Sequence, residues 1–264
     1  MSYRDYFDID PEYFPQVDKR IIDTVPDLWK KFYPHPSFVS LLKVTVDVLK
    51  RKQKLSVWVD GAYGTGKSHA VLTLKKLIEA SADETKEYFD KYSLDNFLCK
   101  DLMAQKNAGK ILVCHRYGSS DINSDVELIV ALQEGIEKAL ADNGIENQAN
   151  SSLKRALIRY LENNENKQSF DIYAAGSCRD ILGGDLADDI LEKLKTYEDD
   201  ALRTLITKIF KVEMVKGSFS MNTGELCEWI REVIEKNNLY NLIFIWDEFS
   251  EYFENNLHHL TGFQ

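Results

Sequence analysis

Cysteine is scarce and scattered: Cys99, Cys114, Cys178 and Cys227 are the only four in 264 residues, with no Cys-x-x-Cys pair. That argues against a disulfide framework and a thiolate metal site, and fits thiols kept reduced in the cytosol. No stretch approaches the ~18 apolar residues of a membrane-spanning helix. The opening Met1-Ser2-Tyr3-Arg4-Asp5 has no signal-peptide apolar region. The expected location is therefore cytoplasmic, with no membrane partner. Positive charge is also short, with 33 Lys and Arg against 43 Asp and Glu and a net charge of −10. That argues against a duplex-binding surface spread over the chain, so nucleic acid is expected only through a larger complex or a local groove. His258-His259 lacks an accompanying Cys or an H-E-x-x-H spacing and reads as a solvated pair. The composition, 44% hydrophobic and 29% charged, is that of a globular chain. Its length suits one large domain or a core with an insertion.

All five prolines, Pro11, Pro15, Pro26, Pro34 and Pro36, lie in the first 36 residues, among Tyr3, Tyr6, Phe7, Tyr13, Phe14, Trp29, Phe32 and Tyr33. Prolines at that density prevent one long helix. The segment reads as an arm packing its aromatics on a core, with a subunit-docking role as the sharper alternative. Phe38 to Lys52 has Phe38, Leu41, Leu42, Val46 and Leu49 spaced for one helical face. Lys50-Arg51-Lys52-Gln53-Lys54 reads as its solvated basic end.

The chain is organised around Gly61-Ala62-Tyr63-Gly64-Thr65-Gly66-Lys67-Ser68, which fits G-x-x-x-x-G-K-[ST]. Leu55-Ser56-Val57-Trp58-Val59-Asp60 before it reads as a short buried strand. Ser68 to Ile78 reads as a helix with Ala70, Val71, Leu74, Leu77 and Ile78 on its apolar face. The glycines allow positive φ and close approach of backbone to phosphate, and the N–H groups form an anion cradle at a helix N-terminus. Lys67 supplies charge to the outer phosphates, and Ser68 is the expected Mg²⁺ ligand. His69, next in the helix, is counted with the nucleotide-binding set.

Far downstream, Leu242-Ile243-Phe244-Ile245-Trp246-Asp247-Glu248 is an apolar run ending in two carboxylates, the pattern of a buried parallel strand. Asp247 would hold Mg²⁺ through its water shell, and Glu248 would polarise the attacking water as general base. A core strand exiting to solvent through two acids is the plainer alternative.

Between these anchors, residues 82–108 read as helical, with Tyr88, Phe89, Tyr92, Leu94, Phe97, Leu98, Leu102 and Met103 as core candidates. Lys110 to Arg116 reads as a second strand, whose His115 and Arg116 either sense the nucleotide or serve the structure. Ser124-Asp125-Val126-Glu127 is a capping box opening a helix with Val126, Ile129, Val130, Leu132, Ile136 and Leu140. From 145 to 238 the pattern is helical and polar between stripes. Asn163 to Gln168 reads as a loop and Gly183-Gly184 as a break. Seven acids in the 16 positions 185–200 read as a solvated face.

The two anchors together resemble the P-loop ATPases with an additional catalytic glutamate, the class containing AAA+ and related ATPases, and Glu248 is the residue that places the chain there. The aromatic N-terminal segment, the Gly-Ala-Tyr-Gly-Thr-Gly-Lys-Ser loop, the long insertion and the Asp-Glu-Phe strand end also resemble the large ATPases of bacterial phage defence of the BREX type. The class likeness covers only a small part of the chain. It implies an α/β P-loop NTPase three-layer fold with a parallel sheet. Lys67 and Asp247 stand 180 positions apart, more than a plain core needs, so a large helical insertion is inferred. The expected organisation is an arm at 1–36, a first core part at 37–144, the insertion at 145–238 and the Asp-Glu strand at 239–264. In such ATPases a helix before the first strand helps wall the adenine pocket, with Tyr33 to Pro36 near the base. The class also implies a further strand with a polar sensor and an arginine finger from a neighbour. The 16 residues after Glu248 hold neither, so the expectation is a core incomplete at its C-terminus.

The expected function is ATP binding and hydrolysis, with ATP and Mg²⁺ as ligands, by a motor or switch domain of a larger assembly. Protein partners or other copies of the chain would engage the arm and the insertion. The alternative is a nucleotide-binding regulatory module with little turnover. A GTPase is disfavoured because Asn166-Lys167-Gln168-Ser169 lacks the aspartate of a guanine-reading motif.

Overall fold

A computed structural model describes residues 27–50, 56–62, 64–118, 122, 124–212, 214–215, 219, 221–250 and 252. The expectations for most of the N-terminal arm, for Leu55, Tyr63 and His258-His259 lie outside these residues. The chain divides into two compact units, up to Ala108 and from Gly109 onward.

The first unit is helical. A 3-10 turn, Leu28–Lys31, precedes α1 (Pro36–Leu49). Pro36 starts α1 with its φ already set, and His35 Nδ1 accepts from Phe38 N at 3.3 Å. The buried stripe is Phe38, Leu42, Thr45, Val46 and Leu49, with Leu41 only half-buried. Lys50 is not a solvated end: it pairs with Asp101. Then come α2 (Lys67–Glu79), α3 (Ala82–Lys91) and α4 (Asn96–Ala108). A Ser81–Glu84 capping box opens α3. Hydrogen bonds from Ser81, aided by Lys30, pull the Glu84 carboxyl down to about 2. Of the arm's described aromatics, Trp29 and Phe32 pack inward and Tyr33 is exposed. Trp29 stacks on Tyr88 at 5.5 Å, and Tyr88 Oη donates to Phe32 O at 2.8 Å. Lys106 Nζ donates to Leu77 O, Ala80 O and Thr85 Oγ1, tying α4 to the C-terminal end of α2.

Two further expectations fail in this unit. Residues 56–60 form no strand, and Val57, Trp58 and Val59 are exposed, Trp58 at 65%. Hydropathy licenses a strand but does not supply the neighbouring chain whose N–H and C=O groups make one. Among the described residues the sheet holds two other strands. Phe97 is 78% exposed because the buried stripe of α4 runs through Leu98 and Leu102. One position off that stripe turns the ring outward, where Lys100 lies 5.8 Å from its centroid. Of the other core candidates, Tyr88 and Phe89 are buried, whereas Tyr92, Leu94 and Met103 are half-buried.

The second unit is a helix-rich α/β body around a two-stranded parallel sheet, β1 (Lys110–Tyr117) and β2 (Leu239–Asp247). A parallel pair needs a long crossover. Here it comprises α5 (Asp125–Asp142), α6 (Ser151–Glu162), α7 (Asn164–Ala175), α8 (Arg179–Leu182), α9 (Ala187–Thr196), α10 (Asp199–Ile209) and α11 (Thr223–Lys236). Leu112 and Cys114 of β1 and Leu239 of β2 share one core with Ile136, Leu140, Leu157, Leu161, Phe170, Ile190, Leu194 and Trp229. The helices of 145–238 thus pack into the same body as the strands. Helix α5 lies so close to β2 that a Cβ at Gly135 would meet Phe244 Cε2 at 2.8 Å.

β2 starts earlier than expected and is half-buried over most of its length, with Leu239, Ile245 and Asp247 buried. One strand neighbour among the described residues leaves its other edge without a ladder partner. Ser124 accepts from Glu127 N to start α5, as its sequence pattern predicts. Asn163 to Gln168 is a helix start rather than a loop. Asn163 caps α7 by accepting from Glu165 N and Asn166 N, and Glu165 suits the first turn. Gly183 and Gly184, at φ +72° and +87°, end α8. Asp188, Asp189, Glu192, Glu198 and Asp200 are exposed, and Asp188 and Asp200 pair with Lys167 and Arg203.

Candidate functional site

The glycine loop ends where α2 begins. Gly64 and Gly66 have φ of +78° and +82°, in the left-handed region where a side chain is strained. Nothing stands within 4 Å of a Cβ built at either, so backbone conformation rather than crowding requires glycine there. A Cβ at Gly61 would meet Thr65 Oγ1 at 3.2 Å. Two short bonds brace the loop: Gly61 N donates to Asp60 Oδ1 and Thr65 Oγ1 donates to Ala62 O, each at 2.8 Å. Gly66 caps α2 without a side-chain bond. The backbone N–H groups of the first turn, at Lys67, Ser68 and His69, therefore belong to a helix end with a positive dipole. Lys67 Nζ is folded back over the loop and donates to Gly61 O at 2.6 Å and Ala62 O at 2.8 Å. The loop itself is exposed, while Lys67, Ser68 and His69 are half-buried.

His69 turns its ring to the arm. It meets Phe32 edge-on at 4.7 Å, and burial pushes its pKa below the ordinary value. Its Nε2 is buried without a hydrogen-bond partner among the described residues. Phe32 also meets His35 at 5.7 Å, so the turn before α1 is anchored beside the start of α2, with Tyr33 at its exposed surface.

In the second unit the acidic pair sits at the C-terminal end of β2. Asp247 is 9% exposed. Its Oδ1 accepts from Glu248 N at 3.1 Å, and its Oδ2 is buried with no hydrogen-bond partner among the described residues. Burying a polar atom this way costs about 1–3 kcal/mol, more for a charged one, so such an atom calls for a ligand. Glu248 takes φ +59°, a left-handed conformation for a non-glycine residue. Its Oε1 accepts from Tyr117 Oη at 2.8 Å. Tyr117 stands opposite Asp247 in the ladder, Gly118 N donates to Asp247 O at 2.9 Å, and Trp246 Nε1 donates to Gly118 O at 3.0 Å. The Arg116 guanidinium lies 5.4 Å from the Trp246 ring centroid, and His115 is paired in register with Ile245.

The phosphate-loop residues thus belong to the first unit and Asp247 and Glu248 to the second. Sequence reasoning missed Tyr117 by ending the strand at Arg116. Parallel pairing of the two apolar runs would have set the next residue against Asp247. No group of three or more His, Cys, Asp or Glu able to hold a metal occurs among the described residues. Mg²⁺ does not need one, because it binds through one or two protein oxygens plus phosphates and keeps its waters. The orphaned Asp247 Oδ2 and the Ser68 hydroxyl fit that chemistry. No protein-family model matches the chain, and no solved structure matches it.

Proposed function

We propose that this protein binds and hydrolyses ATP with Mg²⁺, as a cytoplasmic motor or switch domain of a larger assembly. The proposal includes a P-loop NTPase three-layer core with a helical insertion at 145–238, as in the phage-defence ATPases the sequence resembles. Partners, or other copies of the chain, would engage the arm and the insertion. The observation that carries this reading is the pair of left-handed glycines, Gly64 and Gly66, delivering Lys67 into the first turn of α2. A backbone so bent at a helix N-terminus is an anion cradle.

On this reading the loop N–H groups bind the outer phosphates. Lys67 exchanges two carbonyl acceptors for phosphate oxygens, a swap favoured because the new bonds join opposite charges. Ser68 and Asp247 would hold the Mg²⁺, which supplies charge neutralisation at those phosphates. Glu248 takes a proton from water as the water oxygen bonds to the γ-phosphorus. The bond from that phosphorus to the bridging oxygen breaks, and its electron pair leaves with ADP.

Titration calorimetry of Mg-ATP tests the binding step. Wild type binds, and Lys67→Ala weakens binding at least ~10-fold, about 1.4 kcal/mol. A well-folded wild type that takes up no Mg-ATP overturns the reading.

A further inference from the structure

We propose that Phe32 is a positioning residue for the phosphate loop: packed against His69, it holds the first turn of α2 ready to receive phosphate. The inference rests on the ATP-binding reading of that loop.

The start of α2 gains from a hold outside the loop. Gly64 and Gly66 take left-handed φ, and Gly66 caps the helix without a side-chain bond. Glycine carries the most backbone freedom into such a turn, and helix ends fray. Within that first turn the His69 ring meets Phe32 edge-on at 4.7 Å. Phe32 is itself fixed from several sides. It is buried, and it meets Phe38 in the first turn of α1 at 5.0 Å and the capping His35 at 5.7 Å. Its carbonyl accepts from Tyr88 Oη at 2.8 Å. Two residues earlier the Lys30 carbonyl accepts from Lys91 Nζ and Tyr92 Oη, each at 2.9 Å, and Trp29 stacks on Tyr88. Residues 29–32 are thus bolted to α3, with Phe32 set between the starts of α1 and α2. Stability alone does not account for the Phe32–His69 contact. His69 Nε2 is buried with no hydrogen-bond partner among the described residues, a cost that an apolar side chain at that position would not carry. What the contact supplies is placement of the turn whose N–H groups form the cradle. A cradle correctly formed about a tenth of the time binds phosphate ~10-fold more weakly.

The test measures affinity for Mg-ATP and for magnesium with inorganic triphosphate, by titration calorimetry. It compares wild type, Phe32→Ala, Tyr88→Phe and Leu102→Ala, after circular dichroism confirms that each folds. Leu102 is fully buried in α4, so its truncation lowers stability without touching the Phe32 contacts named above. The expected result is a loss of ~10-fold in Phe32→Ala, by the same factor for both ligands, because the defect lies in the cradle that both share. Leu102→Ala stays within ~2-fold of wild type on both ligands despite a lower melting temperature. Where Phe32→Ala does not fold, Tyr88→Phe carries the test: it removes the donor to the Phe32 carbonyl and should weaken both ligands ~3-fold. Wild-type affinity in the folded variant overturns the proposal. A loss confined to ATP also overturns it, since the ring would then act on the base. So does an equal loss in Leu102→Ala, the mark of general destabilisation, or a wild type that takes Mg-ATP but not the triphosphate. A wild type that takes up no Mg-ATP fails at the ATP-binding reading itself and takes the positioning role with it.

Discussion

Gly135→Ala sets two effects of opposite sign against each other, and the structure decides between them. Gly135 lies within α5, where alanine stabilises a helix interior by about 1 kcal/mol over glycine. Taken alone, the helix predicts a more stable protein. The new Cβ, however, would stand 2.8 Å from Phe244 Cε2 and 2.9 Å from Cζ, closer than such atoms approach. Overpacking of this kind costs ~1–3 kcal/mol. Phe244 is half-buried and meets Trp246 at 5.7 Å, so it has some room to yield, but moving it disturbs the strand that leads to Asp247. The expected net effect is a loss of about 1 kcal/mol, read from the midpoint of urea unfolding followed by tryptophan fluorescence. In a Phe244→Leu background the ring-edge atoms are gone, and the same substitution should then stabilise by about 1 kcal/mol. The cycle therefore gives a coupling of about 2 kcal/mol. If Gly135→Ala stabilises both backgrounds equally, α5 does not press on β2 and the seating of the acidic strand end must be argued differently.

Two further outcomes follow from buried polar atoms. Trp229 is fully buried in the second unit and its Nε1 has no hydrogen-bond partner among the described residues, so Trp229→Phe should cost about 1 kcal/mol or less while Trp229→Ala costs about 3–5 kcal/mol. Equal costs in urea melts would mean that the indole N–H is satisfied. Burial pushes Lys106 down to about 8, so between about pH 8 and 10.5 the folded state carries fewer protons than the unfolded state. Stability should rise with pH across that window, and Lys106→Met, followed by thermal melts, should remove the rise.

The helices were legible because their signals are local. The α1 stripe Phe38, Leu42, Val46 and Leu49, the break at Gly183-Gly184 and the Ser124 cap all rest on residues within a few positions of one another. Phe97 and the start of α7 were misread for local reasons too. A ring one position off a stripe looks apolar in composition but faces out, and Asn163 looks like a loop residue until its side chain is counted as a cap. The pairing of 110–117 with 239–247 was anticipated only as two apolar runs. Their register, and with it the meeting of Tyr117 and Asp247, depends on contacts across some 130 positions.

The two halves of the candidate chemistry differ in how they are specified. In the glycine loop the constraint is written in single residues. Gly64 and Gly66 permit the left-handed turns, Lys67 follows at once, and no distant residue is needed to read the cradle. At the acidic end the constraint lies in the partner. Glu248 adopts a strained backbone, Asp247 buries an oxygen without a hydrogen bond among the described residues, and a hydroxyl from the opposite strand bonds the glutamate. Residues 56–60 show the same dependence from the other side: valines and a tryptophan in strand-like order stay exposed, because a strand is a relation between two segments and not a property of one. Substitutions at Gly64 and Gly66 should therefore act through backbone conformation, since a side chain there meets open space but a left-handed φ.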